Sequence, residues 1–275
     1  MAGIGFELKK LFNRRGLFAS VRAYGYAGIV CTGPMLLGIV LLLGVLFLCS
    51  LTGGSEHSRE LLVCMITYTL LSSLTVTSFL SMVVTRFIAD QLYEENYEMI
   101  LPSFWGSSAL MLVVGGILYG IFLAFSGAGL LDGFLCLGLF GELILTWNAM
   151  SYLTAIKDYR GILLAFAAAI VVTFLVGWFL LFLKIPHVEA LLIAVFIGYG
   201  VMMLWDTALL YQYFPQGNGS AFFFLKWVDQ FLPLAFTGLF LHIGLFAHLV
   251  IMWAGPLQVK VQGLFVGAPY HDVPA

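Results

Sequence analysis

The sequence predicts an all-α protein that crosses a membrane about seven times. Hydrophobic residues make up 62% of the chain and charged residues only 9%, whereas soluble domains carry about 25% charged residues. The hydrophobic residues form seven long runs that are separated by short polar breaks. A bilayer core of about 30 Å needs roughly 20 apolar residues per helix. Because the runs are continuous and do not alternate as barrel strands do, they predict helices.

Seven spans follow in order along the chain, each long enough to cross the bilayer. They cover residues 24–51, 61–88, 104–125, 130–155, 161–183, 190–211 and 231–253. Before the first span, an apolar stripe at helical spacing predicts an amphipathic helix on the inner leaflet, with a frayed basic leader as the alternative. The members of this stripe are Ile4, Leu8, Leu11 and Phe12.

Basic residues predict on which side of the membrane each loop lies. With the N-terminus on the cytoplasmic side, nine Lys and Arg residues lie inside and three lie outside, which agrees with the positive-inside rule. The resulting parts are a cytoplasmic amphipathic segment (1–23), a six-helix lobe (24–212), a cytoplasmic loop with the seventh helix (213–253) and an outer tail (254–275). This orientation disfavours a heptahelical receptor or rhodopsin, whose N-terminus lies outside.

The second span carries a row of hydroxyl groups on one side of its helical wheel. This row comprises Thr67, Ser78, Ser81 and Thr85. Such a stripe either lines a polar cavity that contacts sugar hydroxyls or water, or lets neighbouring helices approach closely. Ser78, Ser81 and Thr85 are therefore candidates for a substrate cavity, with helix packing as the alternative.

Ionisable and amide side chains lie within the apolar sequence of three of the spans. The further cavity candidates are Glu142 and Asn148 in the fourth span, Asp206 in the sixth, and His242 and His248 in the seventh. A charge at bilayer depth costs several kcal/mol, so such a residue faces a cavity or a partner. These groups are expected to line a passage, where one of them exchanges protons, or to be hydrogen-bonded structural polar groups.

Two further features predict a hinge and a docking surface. Gly33 and Pro34 interrupt the first span, and proline removes one helical hydrogen bond, so this site is either a moving hinge or a static kink.

At the inner end of the second span, charged residues form a candidate docking surface for partner proteins. They are Arg86, Asp90, Glu94, Glu95 and Glu98.

The sequence contains none of the common signatures of an enzyme or a metal site. The four cysteines form no CxxC pair, so they predict helix packing and not a disulfide framework or a metal site. There is no P-loop, HExxH or G-x-S-x-G motif. We therefore expect no catalytic residues, no cofactor and no nucleic-acid partner.

Two stretches of the sequence resemble a known family. The opening MAGIGFELKKLF with VRAYGYAGIVCTGP, and the closing GPLQVKVQGLFVGAPYHDVPA, resemble the PelG family of the Pel exopolysaccharide system. This resemblance implies a bacterial inner-membrane transporter of the flippase and multidrug-exporter superfamily, with about twelve spans in two six-helix lobes around a central cavity. It also implies an amino-sugar-rich polymer as cargo and three partners: a cytosolic glycosyltransferase, a cyclic-di-GMP-binding membrane protein and a scaffold protein.

The span count departs from the two-lobe pattern of that family. Seven spans correspond to the first lobe plus one helix of the second, so we expect a truncated chain that does not transport alone. Two functions stay open at this point. The protein either guides polymer through the cavity, or serves as a membrane scaffold that assembles the glycosyltransferase and the cyclic-di-GMP sensor without conducting polymer.

Overall fold

The structure is a computed structural model that describes residues 36–156 and 158–268. Eight α-helices and one short hairpin make up the described part of the chain. The helices are α1 (Leu36–Leu51), α2 (Glu56–Tyr93), α3 (Ile100–Phe125), α4 (Leu130–Ala155), α5 (Tyr159–Phe182), α6 (His187–Tyr213), α7 (Leu225–Gln230) and α8 (Leu232–Ala254). A one-turn 3₁₀ helix, Tyr97–Met99, precedes α3, and strands β1 (Val259–Gln262) and β2 (Phe265–Gly267) follow α8.

Six of these helices are long and apolar enough to cross a membrane: α2, α3, α4, α5, α6 and α8. They coincide with the second to seventh predicted spans, and the prediction of an all-α, multi-pass membrane protein is confirmed. Helix α1 is a shorter apolar helix that covers the second half of the first predicted span. The predicted amphipathic segment and the predicted hinge at Gly33 and Pro34 lie outside the described residues.

Helix α2 is the longest element, and local chemistry explains where it begins and ends. The Ser55 hydroxyl accepts a hydrogen bond from the Ser58 amide at 3.1 Å, which caps the first turn. At the other end, Glu95 adopts a left-handed conformation with φ of 57°, and the Asn96 amide donates to the Gln91 carbonyl at 2.9 Å, as in a Schellman motif. With 38 residues, α2 is about 57 Å long and extends beyond the bilayer core.

Segments that connect or end the helices contact each other at two opposite ends of the bundle. At one end, Leu264 of the hairpin donates its amide to the Ser126 carbonyl at 3.0 Å. At the other end, the Tyr213 hydroxyl donates to Asp158 at 3.1 Å. The helices thus alternate in direction as successive spans require, and we call these the predicted outer end and the predicted inner end.

Small residues let the helices approach each other closely. Gly238 of α8 lies directly against the Ser78 carbonyl of α2, and it is one of two buried residues in α8 together with Ala235. Gly198 of α6 lies directly against the Thr173 hydroxyl of α5. Helix α6 packs between α4 and α5, whereas α2 packs against α4 and α8. This arrangement leaves a space between α2, α4 and α8.

Candidate functional site

A polar cavity of about 220 Å³ lies between α2, α4 and α8. Its polar lining comes from all three helices, with Leu74 and Met150 between the polar groups. The polar residues are Thr77, Ser78 and Ser81 of α2, Trp147, Asn148, Ser151 and Thr154 of α4, and His242 of α8. Four residues that the sequence singled out, Ser78, Ser81, Asn148 and His242, are brought together here.

The cavity lies in the predicted inner half of the membrane. Helix α8 begins at the predicted inner end, and His242 follows Leu232 by about 15 Å along the helix axis. Thr154 lies one residue before the end of α4, at that same end. The cavity therefore extends from the middle of the membrane-spanning region toward the predicted inner surface.

The five hydroxyl groups that line the cavity all donate to carbonyls of their own helix. Ser78 donates to Thr75 at 2.7 Å, and Ser81 donates to Ser78 at 3.2 Å. Ser151 and Thr154 do the same on α4, at 3.2 Å and 2.9 Å. Thr77 donates to the Ser73 carbonyl at 2.9 Å. Because a carbonyl oxygen only accepts, each hydroxyl hydrogen is engaged and each hydroxyl oxygen retains acceptor capacity.

Asn148 holds α4 against α3. Its amide nitrogen donates to the hydroxyls of Ser107 and Ser108, both at 2.8 Å. It also approaches the Phe104 carbonyl at 3.3 Å, which requires that the nitrogen and not the oxygen faces α3. Asn148 thus combines a structural role toward α3 with a place in the cavity wall.

The two histidines of α8 occupy different surroundings. His242 is half-buried and lines the cavity, and its Nδ1 atom lies 3.0 Å from the Gly238 carbonyl. Because that carbonyl accepts, Nδ1 carries the hydrogen, and Nε2 of a neutral ring is an acceptor. His248 is exposed and does not line the cavity.

Thr85 and Glu142 lie outside the cavity lining. Thr85 is one turn beyond Ser81 and donates to the Ser81 carbonyl at 2.7 Å. Glu142 lies near the middle of α4 and faces α6, where the absent side chain of Gly200 leaves room for its carboxylate. Its Oε2 atom is buried and has no hydrogen-bond partner within residues 36–156 and 158–268.

Asp206 is the most deeply buried carboxylate that the structure describes. Its side chain is fully inaccessible, and neither of its oxygens has a hydrogen-bond partner among the described residues. It lies about 10 Å along α6 from Tyr213, toward the predicted inner end. Asp206 and Glu142 are thus in the interior of the bundle, but the structure does not bring them to the cavity.

The charged residues at the inner end of α2 divide into two groups. Arg86 contacts Asp90 through two nitrogens, each at 3.1 Å, and the Trp227 indole donates to Asp90 at 2.8 Å. This cluster therefore holds α7 against α2. By contrast, Glu94, Glu95 and Glu98 are exposed and form an acidic surface around the α2–α3 loop.

A second, apolar cavity of about 780 Å³ lies toward the predicted outer end, between α2, α3 and α8. The β-hairpin covers its end, where the Tyr68 hydroxyl donates to the Val266 carbonyl at 3.0 Å. The Tyr68 ring also stacks on Trp253 with 4.6 Å between the ring centroids. Few polar groups line this space, so it offers little for binding a sugar.

Sequence reasoning missed part of the cavity wall on α4. Trp147, Ser151 and Thr154 recur at spacings of four and three residues, so they share one face of the helix. A helical wheel of the fourth span would have revealed this face, as the wheel of the second span revealed Ser78 and Ser81. No group of three or more His, Cys, Asp or Glu side chains suited to a metal ion occurs in the part of the chain that the structure describes.

Comparison with known proteins gives one positive result. A family model matches residues 1–275, the whole chain, and its description is "PelG: Putative exopolysaccharide Exporter (EPS-E)". No curated protein and no solved structure matches the chain. The description of the family is that of an exopolysaccharide exporter, which agrees with the membrane-spanning helices and the polar cavity described above. The chain therefore belongs to the PelG family.

Proposed function

We propose that this protein guides an exopolysaccharide of the Pel type across the bacterial inner membrane, with its N-terminus in the cytoplasm. The observation that supports this most directly is the polar cavity between α2, α4 and α8. A hydroxylated polymer needs polar partners at membrane depth, where lipid offers none. Five hydroxyls, an amide and an imidazole meet there, in the half of the membrane that faces the predicted cytoplasmic side.

In this proposal, an amino-sugar-rich polymer enters at the inner end beside Thr154 and moves toward His242. A cytosolic glycosyltransferase supplies the polymer, and a cyclic-di-GMP-binding membrane protein and a scaffold protein complete the assembly. The chain forms one flippase-type lobe plus one helix of a second lobe. The protein performs no chemical step, because its task is to lower the barrier for a polar chain between the two sides.

Filling the cavity should block secretion. We expect Ser151→Leu, made in the cellular protein, to reduce secreted polymer to a small fraction of the wild-type amount, because the larger side chain occupies the space between α2, α4 and α8. Ser50→Leu is the matched control, since Ser50 also donates to its own helix, at 2.9 Å, but lies exposed on α1. Equal secretion by the two variants at equal membrane abundance would contradict the proposal.

Glu142 and Asp206 stay predicted as groups that the polymer contacts transiently, or that exchange protons, during transport. Glu142→Gln and Asp206→Asn remove the charges with little change in shape. Normal secretion from both variants would exclude that role.

A second candidate function is a membrane scaffold that assembles the glycosyltransferase and the sensor without conducting polymer. The exposed acidic surface of Glu94, Glu95 and Glu98 supports it, because a solvated charged loop suits docking by a basic partner. In this case, changing the three glutamates to lysine should release the partners during co-purification, and Ser151→Leu should leave secretion unchanged.

A further inference from the structure

We infer that the polar cavity binds one non-anionic sugar ring by accepting hydrogen bonds from the hydroxyls of that ring. The inference rests on the proposed function and adds to it the chemical class that the cavity selects. It follows from the direction of every hydrogen bond in the cavity wall.

The hydroxyl groups of the wall have no hydrogen to offer a ligand. Thr77, Ser78 and Ser81 on α2, and Ser151 and Thr154 on α4, donate to backbone carbonyls at distances between 2.7 and 3.2 Å. A hydroxyl has one hydrogen and two lone pairs. What these five groups present to a ligand is therefore acceptor oxygens.

The nitrogen atoms of the wall are engaged as well. The Trp147 indole donates its single hydrogen to the Ser73 hydroxyl at 3.1 Å. The Asn148 amide nitrogen, with two hydrogens, faces three acceptors on α3, while nothing within the described residues donates to its oxygen. Nδ1 of His242 donates to Gly238, which leaves an acceptor at Nε2 of the neutral ring.

Among the described residues, no lysine or arginine compensates for this excess of acceptors. The lining residues that the structure describes include no Lys or Arg, and Arg86 is bound to Asp90 outside the cavity. Beside a neutral His242, a carboxylate, phosphate or sulfate in the cavity would lose part of its water and would find no donor and no opposite charge among the described lining residues. A neutral sugar brings several hydroxyl donors, so its hydrogen bonds match the wall.

The dimensions of the cavity favour a single ring. A volume of about 220 Å³ corresponds to about seven water molecules at roughly 30 Å³ each. Because the indole hydrogen of Trp147 is already engaged, its ring offers mainly an apolar surface, which suits the C–H face of a sugar. A polymer would thus occupy the cavity with one ring at a time.

The experiment compares trigalacturonic acid with its methyl ester, in which each ring loses its negative charge and gains one methyl group. Binding to the purified full-length protein in lipid nanodiscs is measured by calorimetry at neutral pH. We expect the ester to bind about tenfold more tightly or better, since even a modest penalty for an unpaired charge amounts to that factor. Equal affinities, tighter binding of the acid, or binding of neither ligand would overturn the inference.

A variant that supplies a donor should reverse the preference. Thr154→Lys places an ammonium group at the predicted inner rim, where the side chain can also reach the interface without ligand, so the protein should still fold. We expect it to favour the acid over the ester. Thr85→Lys is the matched control, because Thr85 has the same kind of backbone bond but does not line the cavity; it should keep the wild-type preference.

Secretion separates this inference from the proposed function. Loss of secretion in Ser151→Leu, combined with no preference between the two ligands, would leave the export function intact and remove the selectivity. A clear preference for the ester with normal secretion in Ser151→Leu would support the binding site and exclude it from the export path.

Discussion

At the scale of single residues, some polar groups of this bundle are bonded within their own helix, some are bonded across helices, and a few are buried without a partner among the described residues. Asn148 bonds to α3, Ser103 pairs with Tyr152 at 2.9 Å, and Thr69 pairs with Tyr119 at 2.7 Å. A buried polar group without a partner costs about 1–3 kcal/mol. The cross-helix bonds therefore help to specify which helices are neighbours in a mostly apolar interior.

Asn148→Ala tests this effect. The change removes the donors that serve Ser107, Ser108 and the Phe104 carbonyl, and we expect the free energy of unfolding to fall by about 1–3 kcal/mol. Titration with a denaturing detergent in mixed micelles measures it. Ser151→Ala, a change in the same cavity wall without loss of a cross-helix bond, should cost much less; an equal loss would contradict the structural role of Asn148.

At the scale of elements, the contact between α2 and α8 forms one wall of the cavity. Helix α8 has only two buried residues, and its close approach to α2 depends on Gly238 against the Ser78 carbonyl. A side chain at this position would meet backbone, which cannot move aside as a flexible side chain does. The position of His242, one turn further along α8, depends on this contact.

Gly238→Ala should separate α8 from α2. We expect a loss of about 1–3 kcal/mol of stability, as for other overpacked sites, and faster hydrogen exchange in residues 232–254. Gly244→Ala is the matched control, because no atom lies within 4 Å of the methyl group that it would add. That variant should be neutral or slightly stabilising, since alanine favours helix more than glycine does. Similar exchange in both variants would rule out the Gly238 contact as the cause.

At the scale of the whole molecule, the loops join the helices at both ends of the bundle. The hairpin contacts the α3–α4 turn at the predicted outer end through Leu264, Gln262 and Gly263. Gly263 has a φ of 55° and lies directly against the Ser126 carbonyl. At the predicted inner end, α7 binds α2 through Trp227 and Asp90.

Gly263→Ala should release the hairpin from α3. The left-handed backbone alone costs about 1–2 kcal/mol for a residue with a side chain, and the collision with Ser126 adds to that cost. Gly53→Ala separates the two effects, because Gly53 has a φ of 81° but open space around it. Only Gly263→Ala should accelerate hydrogen exchange in residues 255–268, and the same acceleration in both variants would mean that the contact with Ser126 has no role.

The hydroxyl stripe that the sequence reveals on α2 contributes to the lining of the cavity, and its role toward a substrate stays a prediction. Ser78 and Ser81 share a face of α2, and that face lines the cavity. The prediction did not extend to Ser151 and Thr154, although their spacing on α4 is equally regular. Their ionisable side chains make Glu142 and Asp206 candidates for the cavity, but their surroundings depend on Gly200 and on the packing of α6 between α4 and α5.

The sequence by itself determined that this is a multi-pass helical membrane protein, because hydrophobic length is a local property and each span satisfies its own backbone. The match of the family model to residues 1–275 assigns the chain to the PelG family. Only the tertiary structure decided which polar groups meet. In lipid, both the buried and the outward faces of a helix are apolar: on α3, Met111 is buried while Val113 and Ile117 are exposed. Periodicity therefore does not show which faces pack together, and the acceptor-lined cavity emerges only from the arrangement of α2, α4 and α8.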